Sequence, residues 1–403
     1  MSIVVNSEFG SLRAVLMHTP GSENKYVAPS QREYYLIDDI LHVPTAFAEV
    51  SAYQSLIECF GATVYRFQDM LASILKKDKV RRRLLRLFDG VFIVNDAHKR
   101  IIMEASENDL ASHMVNGNSF SGIQLPPLPN LAFQRDLGMV IGNYLVICSM
   151  KEKARKREEQ LFKFLVEEHP CFRNVEIMHV SGELEGGDVL VVRDDLIVIG
   201  YGHRTKFPTI LELSKKLLSR TVNSIITVAL PDNRQYMHLD TVFTILNDDQ
   251  CVVYSPAILG SQRLGLRKAD ISVITRCGDD LRISNTNETL LGCLNKHGLK
   301  YEPIFVGGDK GDSICADQEQ WWDGANTFAI APSKIVIYDR NEQTIRSLER
   351  AGFKVYHIQS KEDIKNISFE EDGMIVFAIA SSEICKARGG PHCLTMPLWR
   401  KDI

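Results

Sequence analysis

Glu185-Gly-Gly-Asp-Val-Leu-Val-Val-Arg-Asp-Asp-Leu-Ile-Val-Ile-Gly200 carries two carboxylates around a glycine pair, then an apolar run, a charged turn and a second apolar run. Apolar runs this short, bounded by turn residues, read as paired strands. The same shape recurs along the chain. Arg135-Asp-Leu-Gly-Met-Val-Ile-Gly-Asn-Tyr-Leu-Val-Ile-Cys148 precedes it. Leu239-Asp-Thr-Val-Phe-Thr-Ile-Leu-Asn-Asp-Asp-Gln-Cys-Val-Val-Tyr254 and Gly324-Ala-Asn-Thr-Phe-Ala-Ile-Ala-Pro-Ser-Lys-Ile-Val-Ile-Tyr338 follow it. The polar heads Asp136, Asp188 and Asp240 stand at a constant spacing of 52 residues, and Asn326 and Gly389 continue the series. Helical patterns over 152–167, 207–218 and 342–351 fill gaps between units. Repetition of this length predicts a radial or stacked ββ(α)β architecture. With the strand at Ser11–Met17 supplying one more unit, about five would surround a centre, their polar heads pointing inward.

Outside the repeat, residues 44–60 have helical spacing, and 68–125 turn Lys/Arg-rich and amphipathic. That divides the chain into a first part of the repeat domain (1–67), a helical insertion (68–125) and the remainder with the chemistry-bearing motifs (126–403). The basic run around Lys76–Phe88 admits an RNA-binding reading. Its apolar positions Val80, Leu84, Leu87 and Phe88 suit an ordinary amphipathic helix better.

Composition narrows the function classes. The 403 residues carry a formal net charge of −4, with 45% hydrophobic and 24% charged residues. These values exclude a disordered or supercharged chain and provide no global basic field for nucleic acid or anionic lipid. No apolar run approaches the roughly 18 residues of a membrane span, and Met1-Ser-Ile-Val-Val-Asn lacks the basic start of a secretory signal. Nine cysteines, an odd number without C-x-x-C spacing, argue for reduced thiols and a cytoplasmic protein.

Four features could carry chemistry. His238 and Asp240, at strand spacing, would share a face as a metal pair, an acid/base pair or a structural hydrogen bond. Only one such set is present, which disfavours a dinuclear metal site. Glu185 and Asp188, around two glycines, could converge on a buried cation or simply close a turn. Gly307-Gly-Asp309 looks similar but reads as a plain loop. Cys393, in Arg388-Gly-Gly-Pro-His-Cys, occupies a turn unlike the apolar settings of most other cysteines, and an exposed, electropositive turn is what a thiolate nucleophile needs. Arg157, Arg204 and Arg388 could clamp a carboxylate with their planar forks, or be ordinary surface charges.

In combination these features are far more specific. Phe133-Gln-Arg-Asp136, Glu185-Gly-Gly-Asp188, His238-Leu-Asp240-Thr-Val-Phe, Asp323-Gly-Ala-Asn-Thr-Phe-Ala-Ile-Ala-Pro with Tyr338-Asp-Arg-Asn, and Arg388-Gly-Gly-Pro-His-Cys393 occur in this order. Together, and with Ile37-Asp-Asp-Ile near the start, they resemble the arginine deiminases of the guanidino-group-modifying superfamily over nearly the whole chain. Gln134, Leu137 and His392 stand where that family commonly has other residues. The resemblance implies an α/β fold, a five-bladed pseudo-symmetric propeller of the pentein type with a helical insertion.

Carried over by position, the resemblance makes Cys393 the nucleophile, His238 the acid/base group and Glu185 its orienting partner. Asp136 and Asp240 would grip the guanidinium. Asn130, Arg157, Arg204 and Arg388 would hold the α-carboxylate, Phe133 would pack on the guanidinium or its stem, and Asp188 would join the substrate site. The expected reaction is hydrolysis of L-arginine to L-citrulline and ammonia through a Cys-thiouronium, with no metal and no organic cofactor. We expect a homo-oligomer (dimer or tetramer) with no nucleic-acid or membrane partner. The alternatives are an amidinotransferase or a hydrolase of another guanidino compound on the same fold, or a non-catalytic arginine-binding protein. A papain-like protease is disfavoured because its Cys precedes its His.

Overall fold

The computed structural model describes residues 3–88, 95–117, 122–308, 312–365, 367 and 373–402. Asp309 of the second glycine-pair motif and parts of the 68–125 stretch therefore lie outside the described residues. Among the described residues the strands form five separate sheets. Each contains an antiparallel pair and a further strand running parallel to one member of that pair. Gly138–Ile141 and Tyr144–Ile147 pair antiparallel, and Glu176–His179 joins parallel. Val189–Arg193, Leu196–Tyr201 and Ser224–Ala229 repeat this arrangement. So do Phe243–Ile245, Gln250–Val253 and Glu302–Phe305, and Phe328–Ala331, Lys334–Tyr338 and Ile375–Ile379.

The remaining sheet joins distant parts of the chain. Leu12–Met17 pairs antiparallel with Met396–Arg400, and Thr63–Arg66 lies parallel beside it. A parallel connection needs a crossover, usually a helix. Helices Val43–Cys59, Lys156–Glu168, Phe207–Leu217, Leu290–Lys296 and Glu342–Arg350 lie within these crossovers. The fold is thus mixed α/β, built from a repeated ββαβ unit. The hairpin Ile271–Cys277 and Asp280–Thr286 extends one sheet to five strands.

The stretch between the first two units is helical: Phe67–Leu75, Asp78–Phe88, Asp96–Glu104 and Glu107–Asn116. Ser106 caps the last by accepting from Asp109 N, and left-handed Gly117 ends it, the usual chemistry of the two helix ends. Leu71, Leu84, Ile102 and Leu110 are buried in the same core as Met139, Leu145 and Leu161. In the basic helix Val80, Leu84 and Phe88 are buried and Leu87 is exposed. Arg81 is buried too, donating to the carbonyls of Leu75, Ile102 and Ala105. It satisfies backbone acceptors near neighbouring helix ends, a structural use of a basic residue.

Candidate active site

The first strand of each antiparallel pair is preceded by a tight turn, and these turns carry the polar heads. Gln134–Leu137 leads into Gly138–Ile141, Gly186–Asp188 into Val189–Arg193, and Leu239–Thr241 towards Phe243–Ile245. Asp323–Asn326 precedes Phe328–Ala331, and Arg388–Cys393 precedes Met396–Arg400. His238 and Asp240 are therefore not on a strand, as their spacing suggested: a short 3-10 turn begins between them. Close packing of the turns requires glycine. A Cβ at Gly187 would lie 2.7 Å from His238 Nδ1, and one at Gly389 would run into the Phe133 ring.

A cavity between these turns is lined by Leu36, Asn130, Phe133, Asp136, Arg155, Arg204, Met237, His238, Thr241, Arg388 and Cys393. Only about 20 Å³ is open to the centre of a water-sized sphere, little more than one water needs.

On one side of the cavity His238 Nε2 donates to Glu185 Oε2 at 2.8 Å, and Arg204 Nη1 donates to the same oxygen at 3.1 Å. His238 Nδ1 lies 3.6 Å from Asp136 Oδ1. Arg155 Nη1 donates to Asp136 Oδ2 at 2.5 Å, and its Nε to Glu158 at 2.8 Å. Burial pushes Glu185 up, but Arg204, the His238 hydrogen bond and Arg155 outweigh it and hold the carboxyl well below its usual range. Burial alone would lower His238. Asp136, the Glu185 hydrogen bond and Asp188 instead raise it to about 9, so the ring is an imidazolium at neutral pH.

On the other side Asp240 Oδ2 accepts from His392 Nδ1 at 2.8 Å, and His392 Nε2 donates to Glu8 Oε2 at 3.0 Å. Both ring nitrogens face carboxylates, an arrangement that an imidazolium satisfies and a neutral ring does not. The Cys393 thiol donates to Asp240 Oδ2 at 3.6 Å, and Cys393 N donates to Asn326 Oδ1 at 3.0 Å. Burial pushes Asp240 up, but the His392 hydrogen bond and charge carry it below the usual range. Burial, then Asp240, Asp136 and Asp323, push the Cys393 thiol well above its ordinary value.

Asp136 and Asp240 thus share a pattern. Each is anchored through Oδ2, and each Oδ1 is buried without a hydrogen-bond partner, that of Asp136 facing His238 Nδ1 across 3.6 Å. Buried carboxylate oxygens left without hydrogen bonds are costly unless a cation supplies them. Asp136, Glu185 and His238 also offer three ligand atoms within 4.8 Å of one another, a spacing a divalent ion could bridge. Arg155 and Arg204 already balance the two carboxylates, and the His238 nitrogen facing Glu185 carries a proton. This donor set suits a hydrogen-bonding organic cation better than a metal.

Arg157 is placed differently from expectation. Its Nη1 donates to Met114 O at 2.6 Å and its Nη2 to Pro126 O, so it ties down the helical stretch and does not line the cavity. Arg155 lines it instead. The 3-10 turn Lys153–Arg155 ends just before helix Lys156–Glu168, and two residues along a helical path point to different sides. Asp188 also stands outside the cavity lining: its Oδ1 accepts from Leu239 N at 2.9 Å, holding the turn beside His238. Burial raises its carboxyl to about 7. Asn130 lines the cavity, with its Nδ2 donating to Tyr35 O at 2.7 Å. Arg155, Glu8, His392 and Asn326 were not among the expected site residues. The repeat does point to Asn326, which heads its unit as Asp136, Asp188 and Asp240 head theirs.

Among solved structures, the fold is similar to that of SxtG, an amidinotransferase from Microseira wollei, with a TM-score of 0.56 at 12% identity, covering 100% of this chain and 98% of that one. It is also similar to the N-terminal domain of ArgZ, a cyanobacterial arginine dihydrolase, with a TM-score of 0.52 at 15% identity, covering 97% of this chain and 98% of that one. AgrE gives a TM-score of 0.51 at 16% identity over 97% of this chain, which spans 40% of AgrE. The architecture is therefore the mixed α/β fold shared by these enzymes. The family model for arginine deiminase matches residues 91–400. The arginine deiminases of Limosilactobacillus reuteri and Bacillus thuringiensis subsp. konkukian are each 31% identical over 100% of this chain, and over 98% and 99% of their own lengths. The chain belongs to the arginine deiminase family.

Proposed function

We propose that this chain hydrolyses L-arginine to L-citrulline and ammonia through a covalent thiouronium on Cys393. The observation that carries the reading is the pair of buried Oδ1 atoms of Asp136 and Asp240, each without a hydrogen-bond partner. A guanidinium between them would fill both acceptors and offset both charges, fixing its plane against the nucleophile. It would also offset part of what keeps the thiol protonated, because after burial, the largest cause, Cys393 is raised by these same two carboxylates. The thiolate would then form with substrate in place.

The steps follow from the proton each residue holds. The Cys393 sulfur attacks the guanidinium carbon. His238, an imidazolium, gives its proton to one terminal nitrogen, which leaves as ammonia, and the carbon remains bonded to sulfur. The neutral ring then takes a proton from water, whose oxygen attacks that carbon. Collapse expels the thiolate and releases the ureido product. Glu185 keeps His238 oriented and charged.

Arg388 supports an α-amino-acid substrate. It is a buried guanidinium with no carboxylate within ion-pair distance among the described residues, and a ligand carboxylate would supply its counter-charge. Arg155, Arg204 and Asn130 stand beside it. We also read the five sheets as blades of a propeller around this site, with 68–125 as an insertion. The nine cysteines, an odd number without C-x-x-C spacing, favour a reducing, cytoplasmic setting; among the described residues no helix is long and apolar enough to cross a membrane.

The test is stoichiometric release of ammonia and citrulline from L-arginine. Cys393→Ser should lower turnover by at least about ten-thousandfold while L-arginine still binds. Amidino transfer to an added amine without ammonia release would overturn the hydrolytic reading.

A further inference from the structure

Two adjacent tryptophans lie where helix Ile314–Trp321 ends, and each faces an arginine. The Arg388 Cζ lies 4.1 Å from the centre of the Trp321 ring, and the Arg340 Cζ lies 4.2 Å from that of Trp322. Arg340 donates to Sγ of Cys385, in the turn Ile384–Ala387 that runs directly into Arg388. The tandem therefore contacts the cavity's arginine directly and, through Arg340, the turn that presents it.

Every other contact of Arg388 is to a neutral acceptor. Nη1 donates to the carbonyl of Trp321 itself, and Nη2 donates to Gln235 O at 3.0 Å. Its Nε is buried without a partner, and its backbone is left-handed at φ +71°, a conformation that non-glycine residues seldom adopt without a reason. Asp323, the carboxylate that acts on it most strongly, is buried and lies beyond ion-pair distance. A ring face and two carbonyls hold a guanidinium in place without cancelling its charge. That is the requirement for a cation meant to meet an anion that arrives later. Trp321 remains 38% exposed, so its ring is not part of the core.

We propose that Trp321 is the positioning residue for carboxylate recognition. Its ring keeps the Arg388 guanidinium ordered in the cavity before substrate arrives, and so sets the preference for guanidino compounds that carry an α-carboxylate. The assignment rests on the arginine-hydrolysing reading above. Arginine is a long, flexible side chain, and ordering it in advance removes an entropic cost from binding.

The test separates binding from turnover by using Cys393→Ser as the parent and titrating it calorimetrically with L-arginine and with agmatine, the same guanidinium without the carboxylate. The parent should bind L-arginine more tightly. Trp321→Ala keeps the backbone carbonyl and deletes only the ring. It should weaken L-arginine roughly tenfold, in the range expected for one cation–π contact, and leave agmatine within about twofold. Trp321→Leu, which keeps apolar bulk, should behave like Ala, and Trp321→Phe should recover most of the preference. Equal weakening of both ligands by Trp321→Leu, or an unchanged ratio, would overturn the assignment. A parent that binds the two ligands equally would instead overturn the arginine reading itself, before Trp321 is altered.

Discussion

The two halves of the site balance their carboxylates by different means. Around Asp136 and Glu185 the counter-charges are the guanidiniums of Arg155 and Arg204. Around Asp240 and Glu8 the partner is a single His392 ring, which lies between the two carboxylates. The first half surrounds His238 with arginine–carboxylate pairs. The second, around Cys393, relies on one histidine ring shared by two carboxylates. Alkaline sensitivity should therefore enter through His238 and acid sensitivity through Asp240.

The largest effect is expected on the arginine-rich half. His238 is raised to about 9 by Asp136 and Glu185 against the opposing pull of burial. Its imidazolium is present below that value and is lost as pH rises through it. Glu185→Gln removes one of the charges responsible, so the alkaline limb of kcat should move down by about one pH unit or more. At pH 7.5 most of the ring stays protonated, but it loses the carboxylate that orients it, and a misplaced donor should lower the rate about a hundredfold. If the alkaline limb stays where it was, His238 is not the group that titrates.

A smaller effect is expected on the histidine half. Asp240 is held below its usual range because the His392 hydrogen bond and charge outweigh burial. A lowered carboxylate keeps its charge above its folded pKa and loses it as pH falls through that value. With His392→Asn the fall begins at higher pH, and kcat/KM at pH 5.5 should drop about tenfold. The groups facing Asp240 are His238, Arg135, Cys393 and Asp323, all unchanged by the substitution. His392→Arg retains a cation and should restore most of the acid-side rate. An acid limb identical in His392→Asn and wild type would erase the contrast between the halves.

The smallest catalytic effect marks the boundary of the site. Arg157→Ala should leave kcat/KM for L-arginine within about twofold. It should cost about 1–3 kcal/mol of stability for each carbonyl it strands, namely Met114 O and Pro126 O. Denaturant unfolding alongside steady-state kinetics separates the two quantities. A large kinetic loss with unchanged stability would return Arg157 to the substrate clamp.

The strands were legible because a short apolar run between charged turns has few alternatives, and four of the paired strands lie where Asp136, Asp188, Asp240 and Asn326 announced them. The hairpin Ile271–Thr286 was not legible. Most of its second strand faces solvent, so it lacks the apolar run that betrays a strand. Cys393, His238, Glu185, Asp136 and Asp240, named from motif order, do come together in the structure, since each sits in or beside a turn whose glycines or neighbours are part of the motif. Their partners were not. Glu8 touches His392 across 384 residues, and no local pattern encodes a contact of that range. Choosing Arg157 over Arg155 failed for a related reason: in a basic run that enters a helix, direction is decided by where the helix starts, and composition does not record that.

The pairing of Leu12–Met17 with Met396–Arg400 bears on the order of assembly. The loop carrying Cys393 is anchored on one side by a strand whose partner lies almost at the opposite end of the sequence, and His392 reaches back to Glu8 in the same way. Contacts that span so much chain carry the greatest closure cost and form late. A partly folded molecule could hold several finished ββαβ units and still present its thiol without Glu8 behind it. By this closure cost, the contacts around Cys393 should be among the last to form.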